Sequence, residues 1–319
     1  MLERRVVVVS VVVYFCLLGV PSSAQDGPSY PTNHGFFQSA GIVKFFNSFT
    51  SYQFPNPFPP SQSPLSRLEF PVDQWFAGGV VSYSASSWTV HGESWINLNK
   101  ESGLKMQDSD WDDDINLTQK TIFSESKCRL NRGTIVELGC SFATPLDRSI
   151  FLRPVVGYRY QFFFFTTHDG FQASLDGDAF ELPGDGIEFR QSFEHFYFGG
   201  VWNSAFALPL LRELFANARL ELKFDYALVR AKNEDLHLLR SGHHMTADTT
   251  RGHCWHLAAG LDFLAADALR ARVYADFKRI LTDGSHRLSN NLFALDFSFD
   301  GAHVWSDQAS ISAEAIVSF

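Results

Sequence analysis

Long stretches of this chain alternate between apolar and polar residues with a period of two. In Asn217–Leu228, "NARLELKFDYAL", the apolar side chains from Ala218 to Leu228 point one way and the polar ones, such as Arg219, point the other. Leu269–Lys278 and Ile311–Phe319 repeat the pattern. Because successive side chains of a β-strand point to opposite faces, this period predicts strands with two different faces.

The alternating segments favour a membrane β-barrel over a soluble β-sandwich, which also alternates. Each is long enough to cross a bilayer at a tilt, which takes about ten residues. The polar face of one segment carries opposite charges in a row, at Arg219, Glu221 and Lys223, and this suits a wet or ion-paired interior. The chain also ends an alternating strand on an aromatic residue, Phe319.

The predicted connections alternate in length, as they do in outer-membrane barrels, which have short turns on one side and long loops on the other. Short turns are predicted at Ser84–Ser87, Pro145–Arg148, Pro209–Arg212 and Ala265–Ala268. Long polar loops are predicted at Pro55–Pro64, Asn99 to about Asn116, His168–Gly186, Ala231–Thr250 and Asp283 to about Asp307.

The number of strands follows from the segments between these connections, which are 36–53, 66–83, 88–98, 117–128, 132–144, 149–167, 187–206, 213–230, 252–264, 268–282 and 308–319. A barrel of this kind has an even number of strands, so two segments must merge. Segment 117–128 either passes into the next strand from the rim of a loop, or comes down after 88–98 has continued upward. We predict an all-β fold, an antiparallel transmembrane β-barrel of ten strands with long extracellular loops.

A targeting segment precedes the barrel. Arg4 and Arg5 are followed by the apolar run Val6–Val20 and by small residues at Ser22 and Ala24, an order typical of a signal peptide. Residues 1–24 are therefore predicted to be a signal peptide, with an N-terminal anchor helix as the alternative, and residues 25–319 to be the barrel. Export and a barrel together predict the outer membrane of a diderm bacterium.

Charge and cysteine content narrow the possible partners. The net charge of −9 argues against nucleic-acid binding, which needs clustered positive charge. Cys128, Cys140 and Cys254 remain after the signal peptide, and the first two can form a disulfide in an oxidising compartment. Four histidines cluster around Cys254, but they lack firm ligand spacing, so no metal and no cofactor is predicted; they are His243, His244, His253 and His256.

Two short pairs in the predicted loops carry candidate chemistry. Asp108 and Asp110 are two residues apart, and so are Asp235 and His237, so in an extended rim each pair shares one face. An imidazole held by a carboxylate is a better base, because the carboxylate fixes its tautomer and stabilises its cation. A water between the two pairs can then attack a peptide carbonyl, although Asp-x-Asp pairs are also common in solvated loops.

Several segments resemble the omptin family of outer-membrane proteases, which are ten-stranded barrels. The similar segments, spread along most of the chain, are "SRLEF" (Ser66–Phe70), "MQDSDW" (Met106–Trp111), "VVGYRYQF" (Val155–Phe162), "FRQSFEHFYFGG" (Phe189–Gly200), "EDLH" (Glu234–His237), "LRARVYADFKRILT" (Leu269–Thr282) and the final strand. The two paired motifs occur in the order and in the loops that the family requires.

The resemblance implies a role for each residue of the two pairs. Asp108 would share the attacking water with His237, the general base. Asp110 would be the neighbour of Asp108, and Asp235 would orient His237. Met106 would lie at the cleft wall near the substrate, and Trp111 is interpreted as pinning the acidic segment to the rim.

Omptins cut beside basic residues, and the resemblance implies an acidic specificity pocket. Asn233 stands where one pocket acid is expected, and no Asp or Glu occurs between Asp26 and Glu69, where the other is expected. A pocket without carboxylates binds Arg or Lys poorly. Basic specificity is therefore not predicted, although Glu234 could partly substitute.

The family also requires lipopolysaccharide, held by charged groups on the outer wall. Tyr160, Phe162 and Ser192 stand where such groups are expected, so the chain is predicted not to depend on lipopolysaccharide, although it still contacts outer-membrane lipid. The sequence thus predicts an outer-membrane aspartate/histidine endopeptidase acting on polypeptides at the cell surface. The alternatives are a catalytically altered barrel that acts as an adhesin or surface-binding protein, and a small porin.

Overall fold

The structure, a computed structural model, describes residues 35–85, 87–142, 151–205, 218–266 and 269–318. The predicted signal peptide and the turns at 145–148 and 209–212 lie outside the described residues. Among the described residues, no helix is long and apolar enough to cross a membrane. The strands are β1 (Gly35–Phe54), β2 (Ser66–Pro71), β3 (Trp75–Ser84), β4 (Trp88–Asn97), β5 (Glu101–Asp110), β6 (Ile122–Phe142), β7 (Phe151–Ser174), β8 (Ala179–Ala205), β9 (Arg219–His237), β10 (His244–Ala266), β11 (Leu269–Asn290) and β12 (Leu295–Ser318).

The strands form one antiparallel sheet that closes on itself, because β1 pairs with β12. β2 and β3 share one position in the ring, since β2 pairs with residues 49–54 of β1 and β3 pairs with residues 35–44. β4 and β5 share the next position and pair with different parts of β6. The twelve described strands therefore make ten crossings of the barrel wall, and the predicted ten-stranded barrel is confirmed.

The predicted loop Pro55–Pro64 is confirmed, since it lies between β1 and β2, but the other four predicted loops were too long. β5 lies within the predicted loop 99–116, and β7 to β12 extend far into the predicted loops 168–186, 231–250 and 283–307. Segments 117–128 and 132–144 belong largely to the single strand β6, which comes down after β4 and β5 have gone up, the second arrangement considered above. Strands above a bilayer have water or polar groups on both faces, so their apolar alternation fades although their hydrogen-bond ladders continue.

An apolar belt surrounds the lower half of the barrel. On β9 the outward side chains Phe224 and Leu228 are exposed, and the next outward ones, Arg230, Lys232 and Glu234, are charged. Neighbouring strands expose apolar side chains at the same end, at Ile42, Val81, Val90, Leu138, Val156, Phe198, Trp255, Val273 and Ile311. This belt faces the hydrocarbon of the bilayer, and the strands above it stand outside the membrane.

Ion pairs fill the lumen within the belt. Arg159 Nε lies 2.5 Å from Glu137 Oε2, and Arg159 Nη2 lies 3.5 Å from Asp225 Oδ2. His256 lies between Asp225, at 2.6 Å, and Asp276, at 2.5 Å. A cavity of about 250 Å³ remains beside this cluster. Of the predicted charge row, Lys223 joins this cluster, with its Nζ 2.8 Å from Glu137 Oε1.

Aromatic rings close the lumen above this cluster. Phe70 stacks on Phe189 with ring centroids 4.2 Å apart, and Tyr52 stacks on Phe189 at 5.4 Å. Phe165 packs against Phe70 at 5.4 Å. All four rings are fully or almost fully buried, and we call them the aromatic floor. The cysteines Cys128, Cys140 and Cys254 are free thiols, so the disulfide considered above does not form.

Candidate active site

The two pairs lie at the upper ends of β5 and β9, on the lumen side. Asp108 pairs with Leu68 of β2 and with Ser124 of β6. Asp235 pairs with Phe189 of β8 and with Thr246 of β10. The spacing of two residues puts Asp110 beside Asp108, and His237 beside Asp235, on the inner face, as the sequence predicts.

The histidine of the second pair lies beside its carboxylate neighbour. His237 Nε2 lies 3.3 Å from Asp235 Oδ1, and the Asp235 side chain is 1% exposed. Burial raises the pKa of Asp235 to about 7. Burial, together with the charge of Arg240, lowers the pKa of His237 to about 3. The imidazole is therefore neutral at physiological pH and can accept a proton.

The aspartate pair is also perturbed. Burial, followed by the charge of Asp110, raises the pKa of Asp108 well above its usual value. Burial raises the pKa of Asp110, and a hydrogen bond from Ser66 opposes that rise. Asp108 Oδ1 is buried and has no hydrogen-bond partner among the described residues. The pair therefore holds a proton more tightly than ordinary aspartates do, and one of its oxygens remains available to a bound molecule.

Arg240 links the two pairs electrostatically. It lies on the turn between β9 and β10, and its charge lowers the pKa of Asp108, Asp110, Asp235 and His237. The charge of Asp235 also raises the pKa of Asp108. One guanidinium within range of all four groups indicates that the two hairpins converge on one cleft.

The structure adds contacts that the sequence analysis missed. Arg240 Nη1 donates to His244 Nε2 at 3.3 Å, and the His244 ring lies edge-on to His237, with centroids 5.1 Å apart. The hydroxyl of Tyr52 donates to Asp235 Oδ2 from across the lumen. Proximity to His237 in the sequence could have indicated Arg240, but no local signal indicates Tyr52.

The three predicted substrate-binding residues are placed differently from one another. Asn233 faces the lumen, and its Nδ2 donates to Asp248 Oδ2 at 3.1 Å. Glu234 faces the outer wall and lies 3.9 Å from Arg190, so it cannot substitute for a pocket acid. Glu234 faces outward because it lies between residues 233 and 235, which both face the lumen. Met106, predicted to lie at the cleft wall near the substrate, is 1% exposed and packs in the core.

Trp111 holds the segment that follows the aspartate pair. Its backbone NH donates to the carbonyl of Leu65 at 2.8 Å. The guanidinium of Arg67 and the ammonium of Lys120 lie over its ring, at 5.4 and 5.6 Å. These ring contacts agree with the predicted anchoring role of this tryptophan, which stays a prediction.

The histidine cluster of the sequence is dispersed. His253 stacks on Tyr226, whereas His256 is paired with carboxylates in the lower lumen. His243 is exposed on the turn before β10, and His244 lies beside His237. Within the described ranges, no group of three or more His, Cys, Asp or Glu residues is arranged to hold a metal ion.

The residues predicted to remove lipopolysaccharide dependence are neighbours on the barrel wall. Phe162 of β7 pairs with Ser192 of β8, and Tyr160 lies two residues before Phe162 on the same strand. The Arg132 guanidinium lies 5.8 Å from the Phe162 ring. Independence from lipopolysaccharide stays a prediction.

Comparison with known proteins supports the fold and the family. The solved outer membrane protease OmpT from Escherichia coli superimposes with a TM-score of 0.78 over 93% of this chain and 100% of that one, at 16% identity. The translocator domain of the autotransporter NalP from Neisseria meningitidis gives a TM-score of 0.33 at 8% identity, covering 88% of this chain and 89% of that one. No curated protein sequence matches significantly.

The model of the omptin family matches residues 62–282, which contain both candidate pairs and most of the barrel. The chain therefore belongs to the omptin family of outer-membrane proteases.

Proposed function

We propose that this chain is an outer-membrane endopeptidase whose cleft faces the cell exterior and cleaves polypeptides there. The observation that supports this most is the convergence of Asp108–Asp110 and Asp235–His237 above the apolar belt, with a neutral imidazole 3.3 Å from its carboxylate. The family match and the OmpT-like barrel agree with this location and reaction class.

The attacking group is a water held between His237 and Asp108. His237 takes one proton from the water as the oxygen attacks the peptide carbonyl, and Asp235 stabilises the resulting imidazolium. The carbonyl oxygen becomes the oxyanion of the tetrahedral intermediate. His237 then protonates the leaving nitrogen, the oxyanion re-forms the C=O bond as the C–N bond breaks, and the acid and amine products leave.

We do not expect a preference for basic residues beside the cleaved bond. Asp248, the lumen carboxylate next to Asn233, is occupied by Asn233 and by His286 Nδ1, which lies 2.7 Å from Asp248 Oδ1. The aromatic floor lies below. Among the described residues at this height of the barrel, the other carboxylates that face the lumen belong to the two pairs. An arginine or lysine side chain of a substrate therefore meets no further carboxylate with which it could pair.

Peptide cleavage by purified, refolded protein tests the proposal. A mixed peptide library analysed by mass spectrometry should show cleavage products with the wild-type protein. His237→Ala should reduce kcat/KM by about 10²–10⁴-fold, because positioned general bases contribute that much.

The matched control is His243→Asn. His243 is an exposed histidine on the turn before β10, with a φ of 50° that asparagine tolerates. This variant should cleave like wild type. Equal cleavage by wild type and His237→Ala would contradict the proposal.

The alternative is a surface-binding barrel without hydrolytic activity. The neutral Asn233 and the closed aromatic floor favour it, because the substrate-binding part of the cleft has changed. In the same assay this alternative predicts no His237-dependent products from any peptide.

A further inference from the structure

Tyr52 reaches the histidine-bearing pair from the opposite wall of the barrel. It lies on β1, which β10, β11 and β12 separate from β9 around the ring. Its hydroxyl nevertheless donates to Asp235 Oδ2, and both side chains are 1% exposed. This hydrogen bond therefore crosses the lumen at the base of the cleft.

The ring of Tyr52 has little freedom to move. It stacks on Phe189 with an interplanar angle of 20° and lies near Phe54, whose centroid is 6.4 Å away. Phe189 is also the residue of β8 that pairs with Asp235 of β9. The Tyr52 ring therefore packs directly beside the position of Asp235 in the sheet. Packing thus fixes the hydroxyl before any substrate binds, and a donor held in this way loses little entropy on making its bond.

The carboxylate of Asp235 has to be ionised to orient and stabilise a protonated His237. Burial opposes this ionisation, whereas the hydrogen bond from Tyr52 lowers the pKa of Asp235. Burial also raises the pKa of Tyr52 well above its usual value, so the phenol keeps its proton and remains a donor. Its bond leaves Oδ1 facing His237 Nε2 at 3.3 Å.

Other charged groups surround Asp235 without replacing this bond. Asp248 raises its pKa, while Arg240 and His286 lower it through their charges. The titratable or charged groups that face the Tyr52–Asp235 contact are His237 on β9, His244 and Asp248 on β10, His286 on β11, Asp108 on β5 and Arg240 on the β9–β10 turn.

We propose that Tyr52 is a positioning residue of the hydrolytic site, which keeps Asp235 ionised and turned toward His237. The proposal rests on the hydrolytic function proposed above. Strand β1 carries neither pair, but through Tyr52 it helps to set the pH range over which the site works.

Tyr52→Phe tests this, because it removes the hydroxyl and keeps the stacked ring. Hydrogen bonds to charged groups shift a pKa by about one to two units. The acidic limb of the kcat/KM profile should therefore move up by about one to two pH units, with kcat lowered by about 10- to 100-fold below the limb. KM should change little, and activity should return toward the wild-type value near pH 9.

Thr50→Val is the matched control. Thr50 lies on the same strand, is fully buried and donates to Gln191 Oε1 across the same lumen, without touching Asp235. Removal of the Thr50 hydroxyl should leave the shape and midpoint of the pH profile unchanged.

Two outcomes would overturn the role of Tyr52 while leaving the hydrolytic function intact. One is a Tyr52→Phe profile with the wild-type midpoint, and the other is a uniform loss at every pH that Thr50→Val reproduces. A wild-type protein that shows no His237-dependent cleavage would remove the proposed function, and this role with it.

Discussion

The protonation of single residues decides when the cleft can work. Asp235 is the group that titrates in the neutral range, since its pKa is raised to about 7, whereas His237, lowered to about 3, stays neutral above that value. In the proposed mechanism the active form needs an ionised Asp235, so we expect activity to be lost as the pH falls through about 7.

This predicts a pH profile for peptide cleavage. The kcat/KM of the wild-type protein should rise with pH and level off above an apparent pKa near 7. Asp235→Asn should remove this limb and lower the plateau by about 10²–10⁴-fold. A wild-type profile that falls between pH 6 and 8 would contradict the assignment.

Individual residues also show where sequence reasoning reaches its limit. The period of two places Asp108 with Asp110 and Asp235 with His237 correctly, because residues two apart on a strand share a face. The same rule should have excluded Glu234, which lies between two inward residues. Tyr52 could not be predicted, because its contact with Asp235 exists only once the ring has closed and opposite walls face one another.

The strands form the apolar belt and also extend above it, where they hold the candidate site. Alternation in the sequence identifies the lower part of each strand, where one face meets lipid. It does not identify β5 or the upper parts of β7 to β12, where both faces are polar. The site stands on these upper strands, so its residues are held by hydrogen-bond ladders on both sides rather than by flexible loops. This suits a mechanism that depends on the fixed positions of four side chains.

Ion pairs between strands are predicted to stabilise the lower lumen. Arg159 of β7 is 1% exposed and bridges Glu137 of β6 and Asp225 of β9. Arg159→Met should lower the free energy of unfolding by about 3 kcal/mol, because removing one member of a buried pair leaves the others uncompensated.

Urea unfolding in detergent micelles, followed by tryptophan fluorescence, measures this change. The control is Arg287→Met, which removes the exposed pair with Asp296 on the outer face and should have no measurable effect. Equal stability of the Arg159 variant and the control would show that the lumen cluster does not hold the strands together.

The whole molecule is a ten-crossing barrel divided into two levels. The lower level sits in the bilayer and is filled by ion pairs around a cavity of about 250 Å³. The aromatic floor separates it from the cleft above, which opens away from the membrane. Ring closure could be predicted from the alternating strands and connections. The aromatic floor could not, because it depends on which inward side chains from β1, β2, β7 and β8 come to the same height.

A double-mutant cycle tests whether Asp108 and His237 act on the same water. The kcat/KM of the wild type, Asp108→Asn, His237→Gln and the double variant should be measured on one cleaved peptide at pH 8. Groups that act as a unit are strongly non-additive. If Asp108 and His237 act on one water, the double variant is no slower than the slower single variant. Losses that multiply, with the double variant slower by the product of the two single effects, would show that the residues act independently and would contradict this shared action.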